Sequence, residues 1–236
     1  MSKALKRLAA PTTWAIPRKT EKWVVKPSPG PHPVRRALPL GIVLRDILHY
    51  VDYMKEAEKI LGQGKILVDK RKVINYKFPV GIFDVISIPD LNEHYRMLLD
   101  TRGKLRVIKI PADKSDWKLV RIENKTTNKK GKIQLNLHDG RNILVNENIY
   151  VTGDTLKIEV PTQKIVGHIP LTNGNIAYIT GGSHIGELAT IAGYEVTNSP
   201  KPNIVYLKEG FMTIKDYIFP VGVKAPEITL PVVVTE

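Results

Sequence analysis

The sequence contains no cysteine. Disulfides, thiolate metal sites and a cysteine nucleophile are thereby excluded, and the chain fits a reducing compartment. Aromatic residues are sparse, at 7%, so any core is built mainly from aliphatic side chains. No long apolar run follows the basic start Lys3-Ala4-Leu5-Lys6-Arg7, and none further along reaches the length of a secretory signal or a membrane span. The expectation is a cytoplasmic protein with no membrane partner. There is no glycine-rich phosphate loop ending in Gly-Lys-Ser/Thr. The histidines, at 32, 49, 94, 138, 168 and 184, have no metal-ligand spacing. Neither a metal, nor a cofactor, nor a small-molecule substrate is expected, and no catalytic residue stands out.

What the sequence has in excess is positive charge. Lys and Arg number 36 against 23 Asp and Glu, a formal net charge of +13 with a pI near 9.7. Such an excess repels itself unless a polyanion neutralises it, and it is the electrostatic footprint of nucleic-acid binding. The charge is uneven. In residues 1–36 the single acid is Glu21, against Lys3, Lys6, Arg7, Arg18, Lys19, Lys22, Lys26, Arg35 and Arg36. From residue 164 onward Lys164, Lys201, Lys208, Lys215 and Lys224 face Glu187, Glu195, Glu209, Asp216, Glu227 and Glu236, a near balance.

The basic segment is also rich in proline, at 11, 17, 27, 29, 31 and 33. Proline fixes φ and removes backbone donors, so long helices are excluded. With Trp14 and Trp23 as its large aromatics the segment reads as an arm that is disordered until it meets a partner. Each tryptophan has two readings: stacking on an unpaired base, or fastening the arm to its own protein.

Order begins near Leu38. Leu44, Ile47, Leu48 and Val51 repeat at helical spacing. Asp52 is placed to cap a second helix, lined inside by Met54, Ala57, Ile60 and Leu61 and stopped by Gly62. Strand-like runs follow at 66–68, 73–74 and 83–88, with Lys70, Arg71 and Lys72 in the turn between the first two. From about Tyr95 the pattern is β throughout, with runs at 105–108, 119–122, 133–137 and 142–145. The Asp139-Gly140 pair marks a hairpin. His138-Asp139 invites an acid–base reading, but turn chemistry explains it. Further strands are expected at 165–169, 176–179, 194–197, 204–207, 212–214 and 218–221. The fold class expected is α+β, mostly β. Its parts are an arm over 1–40, a helix-and-strand module over 41–92, a β-rich middle over 93–163, a β unit over 164–224 and a tail over 225–236.

Three stretches carry family resemblances. Leu44-Arg45-Asp46-Ile47-Leu48, Glu56-Ala57-Glu58-Lys59-Ile60-Leu61 and the strands from Ile66 resemble an S4-type RNA-binding module. The segment around Gly181-Gly182 resembles a KOW motif, a hairpin-centred part of an SH3-like barrel. Glu187 departs from that motif where a Lys or Arg is common, which leaves a protein neighbour as the other partner for this loop. Residues 1–222 taken together resemble the S4e family of archaeal and eukaryotic small-subunit ribosomal proteins. The residues that carry this are Leu5-Lys6-Arg7-Leu8-Ala9-Ala10-Pro11 with Trp14, Pro29-Gly30-Pro31-His32, Leu38-Pro39-Leu40, Tyr76 to Val85 and Gly131 to Arg141. Lys70 stands where the family commonly has Gly. The resemblance implies a structural constituent of the small ribosomal subunit whose partners are small-subunit ribosomal RNA and neighbouring ribosomal proteins.

The residues expected to face RNA are Lys3, Lys6, Arg7, Trp14, Arg18, Lys19, Lys22, His32, Arg35, Arg36, Arg45, Lys65, Lys70, Arg71, Lys72, Lys129, Lys130, Lys132 and Arg141. Two other readings stay open at this point: a non-ribosomal RNA-binding translation factor, and an RNA-modifying enzyme with an unfamiliar site.

Overall fold

The computed structural model describes residues 4–128 and 131–230. Among the described residues the fold is mostly β, with two short helical segments at 40–47 and 54–62 and several single 3-10 turns, and the mostly-β class is as the pattern predicts. The chain divides into two compact units, residues 1–100 with 104–118, and residues 101–103 with 119–236.

In the first unit the arm is folded, contrary to the expectation of disorder. Strands β1 (Leu5–Lys6) and β2 (Trp23–Val24) pair antiparallel, Leu5 opposite Val24. Trp14 is fully buried, with Ala10, Ile16 and Val24 also inside. Its indole Nε1 donates to Val34 O at 3.3 Å, and Leu105 N donates to Thr13 O at 2.7 Å. A single large aromatic supplies enough apolar surface to fasten a proline-rich segment that lacks a core of its own.

After β3 (Ala37–Pro39) a first helical segment, α1, runs over 40–47, with Leu40–Ile42 in α and Val43–Ile47 in π geometry. It ends before the predicted Val51. His49 turns left-handed at φ 54°, and Tyr50 N reaches back to Leu44 O at 3.0 Å, the backbone device by which helix ends satisfy their last carbonyls. The π turn shifts the side-chain spacing, which is why a run at regular 3,4 intervals outlasted the real helix.

Helix α2 spans Met54–Gly62. Asp52 does not cap it. Instead Glu56 Oε2 accepts from Asp52 N at 3.1 Å and Tyr53 N at 3.3 Å, closing the first turn from inside the helix. Gly62 is the last helical residue, and the left-handed position that follows is Gly64, at φ 70°. Glu56→Ala is therefore expected to cost about 1 kcal/mol and Asp52→Ala close to nothing, measurable by urea denaturation. Equal losses would contradict this capping arrangement.

Strands β4 (Leu67–Val68) and β5 (Arg71–Lys72) form a hairpin whose two turn residues, Asp69 and Lys70, are both left-handed. The expected strand at 73–74 lies instead at 71–72, because the turn takes two residues. After β6 (Pro79–Gly81), which pairs with β3, come β7 (Val85–Ile88), β8 (Glu93–Leu99) and β9 (Leu105–Ile110). The sheet order is β5-β4-β7-β8-β9. Residues 93–110 thus complete the sheet of the first unit. Every residue of β7 is buried, so the sheet centre is covered on both faces and loses the alternation that would mark it in sequence.

This unit encloses a charged core. Lys118, 1% exposed, places Nζ 2.5 Å from Asp84 Oδ1 and 3.0 Å from Asp69 Oδ2. Asp84 also accepts from Gly81 N at 2.8 Å and bonds His32 Nε2 at 3.1 Å. Burial pushes the Asp84 carboxyl up, but the His32 and Lys118 charges and their hydrogen bonds outweigh it and hold the group far below the usual carboxylate range. Arg96, buried nearby, donates to Lys114 O at 2.8 Å and Trp117 O at 2.9 Å, and its guanidinium lies 4.3 Å from the Trp117 ring centre. Burial lowers its pKa to about 10, with Asp69 pulling the other way.

Strand β10 (Trp117–Thr127) carries the chain into the second unit. There it joins β11 (Ile133–Leu137), β12 (Asn142–Val145), β13 (Thr155–Glu159) and β14 (Ile165–Ile169) in the order β12-β11-β10-β13-β14. The β11–β12 hairpin closes at Asp139-Gly140 as predicted, with Gly140 at φ 74°. Val120, Ile122, Leu135, Leu137, Leu156 and Ile158 form the core of this sheet.

A second sheet follows from β15 (Ile176–Ile179), β16 (Leu188–Glu195), β17 (Ile204–Leu207), β18 (Met212–Ile214) and β19 (Ile218–Gly222), ordered β18-β17-β16-β15-β19. The buried guanidinium of Arg121 links the two sheets. Its NH1 donates to Asp216 O and Ile218 O, both at 2.8 Å.

Candidate nucleic-acid interface

The structure sorts the expected RNA-facing residues into three groups. Lys3, Lys129 and Lys130 lie outside the described residues.

A second group is committed to internal contacts. Trp14 is buried and cannot stack on a base. His32 is buried and bonded to Asp84, so it faces the charged core rather than RNA. Arg7 is buried, with Nε donating to Pro17 O at 2.5 Å and NH1 3.5 Å from Glu21. Arg18 donates to Leu8 O at 3.2 Å and Pro11 O at 2.9 Å. These four are corrections to the expected set. The polar atoms of Trp14, Arg7 and Arg18 are spent on backbone carbonyls of the arm, and those of His32 on the Asp84 carboxylate.

Several more cations carry a carboxylate partner. Arg45 forks onto Asp46 with two bonds of 3.1 Å, and that hydrogen bonding raises its pKa. Lys65 sits 3.3 Å from Asp90, Lys70 pairs with Asp116, and Arg141 lies 3.3 Å from Asp139. The Lys70 hydrogen bond holds the Asp116 carboxyl low. The Lys65 and Lys70 pairs lie at the surface and are worth little in water, so these two cations can exchange a carboxylate for a phosphate, whereas Asp139 is buried and the Arg45–Asp46 pair is part-buried, so Arg141 and Arg45 stay committed to their carboxylates.

The remaining cations are Lys6, Lys19, Lys22, Arg35, Arg36, Arg71, Lys72 and Lys132. All are exposed, and among the described residues none of them pairs with a carboxylate. Lys6 and Lys22 come together through the β1–β2 pair, where Lys6 lies opposite Trp23. Trp23 is 49% exposed, with Lys22 Nζ 5.5 Å from its ring centre. It is therefore Trp23, and not Trp14, that can stack on a base. Arg35 and Arg36 lie on the turn before β3. Arg71 and Lys72 form β5, an edge strand that the two charges also protect from pairing with another chain.

Sequence reasoning missed Lys109 and Arg106, exposed on β9. Their signal was the alternation of Leu105-Arg106-Val107-Ile108-Lys109-Ile110, which was read only for strand. Lys109 is held by Glu93 at 2.6 Å, and Tyr95 donates to the same carboxylate at 2.8 Å. The Lys109, Tyr50 and Tyr95 hydrogen bonds bring Glu93 down to about 2.

Gly181-Gly182, singled out for its resemblance to KOW, precedes a turn in which His184 stacks on Phe211, ring centres 3.8 Å apart, and bonds Glu187 at 3.0 Å. This loop offers a capped imidazole and a carboxylate rather than a cluster of cations. Among the described residues no group of three or more His, Asp or Glu is arranged to hold a metal. No helix among them is long and apolar enough to cross a membrane.

Comparison with known proteins bears on what such a surface serves. Residues 91–165 match the model of ribosomal family S4e, and residues 1–35 match the RS4NT domain. The chain is 49% identical over 238 residues to the small ribosomal subunit protein eS4 of Methanocaldococcus jannaschii, covering 96% of each. It is 46% identical over 233 residues to the protein of the same name from Methanothermobacter thermautotrophicus, covering 97% of this chain and 96% of that one. The crystal structure of the 30S ribosomal protein S4e from Thermoplasma acidophilum superposes with a TM-score of 0.70 at 36% identity, over 79% of this chain and 95% of that chain.

Proposed function

We propose a function from one premise: the chain belongs to the ribosomal family S4e. It is a structural constituent of the small ribosomal subunit and not an enzyme, and it works in the cytoplasm as part of the ribosome. Its partners are ribosomal RNA and other ribosomal proteins.

Within that role we assign RNA contact to the exposed cations of the first unit, Lys6, Lys19, Lys22, Arg35, Arg36, Arg71 and Lys72, with Trp23 stacking on a base. Lys132 makes a contact from the second unit, and Lys65 and Lys70 join by exchanging surface carboxylates for phosphates. The observation that carries this assignment is that, among the described residues, Lys6, Lys19, Lys22, Arg35, Arg36, Arg71, Lys72 and Lys132 are exposed and pair with no carboxylate, so that a polyanion meets them without first breaking ion pairs. The nearly neutral segment from 164 onward is assigned to a protein neighbour.

The test is sedimentation of small subunits over a salt series. With six to ten phosphate contacts, affinity is expected to fall about 10³–10⁵-fold between about 50 and 200 mM salt. Arg71→Ala with Lys72→Ala is expected to flatten the salt slope by about 2. Binding that ignores salt would overturn the assignment. A protein that sediments apart from the subunit would point to a free translation factor.

A further inference from the structure

Four prolines alternate with other residues from 27 to 33, and nothing so far uses them. They line a cleft of about 630 Å³ in the first unit, walled by Pro29, Pro31, Pro33 and Val34, with Lys26 and Lys77 also in its lining. No carboxylate is among the residues that form it.

The cleft is held in shape from several sides. Ser28 donates both its backbone N and its Oγ to Lys77 O, at 2.9 and 3.1 Å, which ties the proline segment to the loop before β6. His32 anchors the far end through Asp84. Gly30 lies so close to β6 that a Cβ there would come within 2.7 Å of Pro79 Cγ. Proline rings add rigidity because φ is fixed before anything binds. The wall is preorganised and pays little ordering cost on binding.

The chemistry of the lining selects its ligand. Proline rings carry no donors, so the wall offers a flat apolar surface that reads no hydrogen-bond pattern. Lys26 and Lys77 in the lining bring positive charge to the cleft, with Lys77 Nζ also 5.2 Å from the Tyr76 ring centre. A cleft of this size lies in the range that holds small ligands, and it is too small for a duplex. When proline binds aromatic partners in extended-peptide recognition, the aromatic surface comes from the other molecule. Here the protein supplies the proline and the ligand must supply the ring.

We propose that this cleft seats one unpaired nucleotide of RNA, its base against the proline wall and its phosphate on Lys26 and Lys77. The proposal rests on the ribosomal reading and adds a site to it. Single-stranded RNA is bound in general by base stacking on aromatic side chains together with backbone neutralisation, and with little sequence preference; here proline rings would take the place of the aromatic platform.

Native small subunits containing the full-length protein should be irradiated at ultraviolet wavelengths and the cross-linked peptides mapped. The expected product is a nucleotide on residues 26–34 or on Lys77. In parallel, Lys26→Ala with Lys77→Ala should be compared with the unaltered full chain for binding a short single-stranded uridine oligonucleotide. Because both lysines serve one phosphate, the salt slope is expected to drop by about 0.7 while the thermal midpoint stays in place. RNA cross-links confined to other parts of the chain, or an unchanged slope, would overturn the cleft and leave the ribosomal role intact. A cross-link from this cleft to a peptide would overturn it in favour of a protein ligand. If the chain yields no RNA cross-links and does not travel with the subunit, both the cleft and the reading beneath it fall.

Discussion

Lys118→Ala is expected to destabilise the first unit by about 3–5 kcal/mol, enough to unfold it under conditions where the parent chain is stable. The side chain is 1% exposed and lies between two carboxylates that are themselves buried. Removing the ammonium leaves Asp69 and Asp84 with a surplus of negative charge out of reach of water, and the cost is that of stranded charge rather than of one lost bond. The effect has a pH signature. The Asp84 carboxyl is held below its ordinary range in the folded protein. Its contribution is therefore present above the unfolded carboxylate pKa and is lost only as pH falls through the depressed folded value. In the variant the Asp84 carboxyl loses the Lys118 charge that helps to hold it low and takes a proton more readily, so the gap to the parent chain should be widest near neutral pH and narrow on acidification. Urea denaturation at neutral and mildly acidic pH, followed by tryptophan fluorescence, reads both quantities. A loss below about 1 kcal/mol at neutral pH would mean that water reaches the cluster.

Trp14→Ala should cost about 3–5 kcal/mol as well, by emptying the site that fastens the arm. The readout that separates it from Lys118→Ala is local. Limited proteolysis is expected to cut within residues 1–36 before it cuts any strand of the sheet, because the sheet does not depend on the arm for its ladder. Binding to small-subunit RNA should weaken in parallel, since Lys19 and Lys22 would have to be ordered on the RNA rather than beforehand. Trp14→Phe keeps most of the packing and loses the bond to Val34 O, so its cost should be about 1 kcal/mol. If the alanine variant resists proteolysis as well as the parent, the arm is held by something other than this indole.

Local signals in the sequence carried most of the strands. Asp139-Gly140 closes its hairpin because two short-range preferences coincide there, and alternation marks β11 and β12 because one face meets solvent. The mostly-β class and the basic bias of the arm were legible for the same reason, each being written in neighbouring residues. What stayed hidden depends on partners far along the chain. No local pattern distinguishes Lys118 from Lys109, yet one is sealed between Asp69 and Asp84 and the other stands in water. Trp14 and Trp23 sit in similar basic, proline-rich surroundings, and only tertiary packing makes the first a fastener and leaves the second exposed. β structure is expected from about Tyr95, but no bounded run stands out at 93–99, because burial on both faces erases the alternation that identifies strands. The end of α1 was misplaced because a π turn resets the spacing on which the periodic reading relies.

The docking of the arm onto β9 also sets an order of events during synthesis. Lys104 Nζ reaches Thr12 O at 2.6 Å, a bond that spans 92 residues of chain. At about 5–20 residues per second a ribosome needs roughly 5–18 s to make that stretch. For that interval the new amino terminus can make only its local contacts, the β1–β2 pair and the bond from Trp14 to Val34 O, and lacks the later strand onto which it docks. Each newly made copy therefore passes through a period in which a basic arm is exposed without its final docking surface.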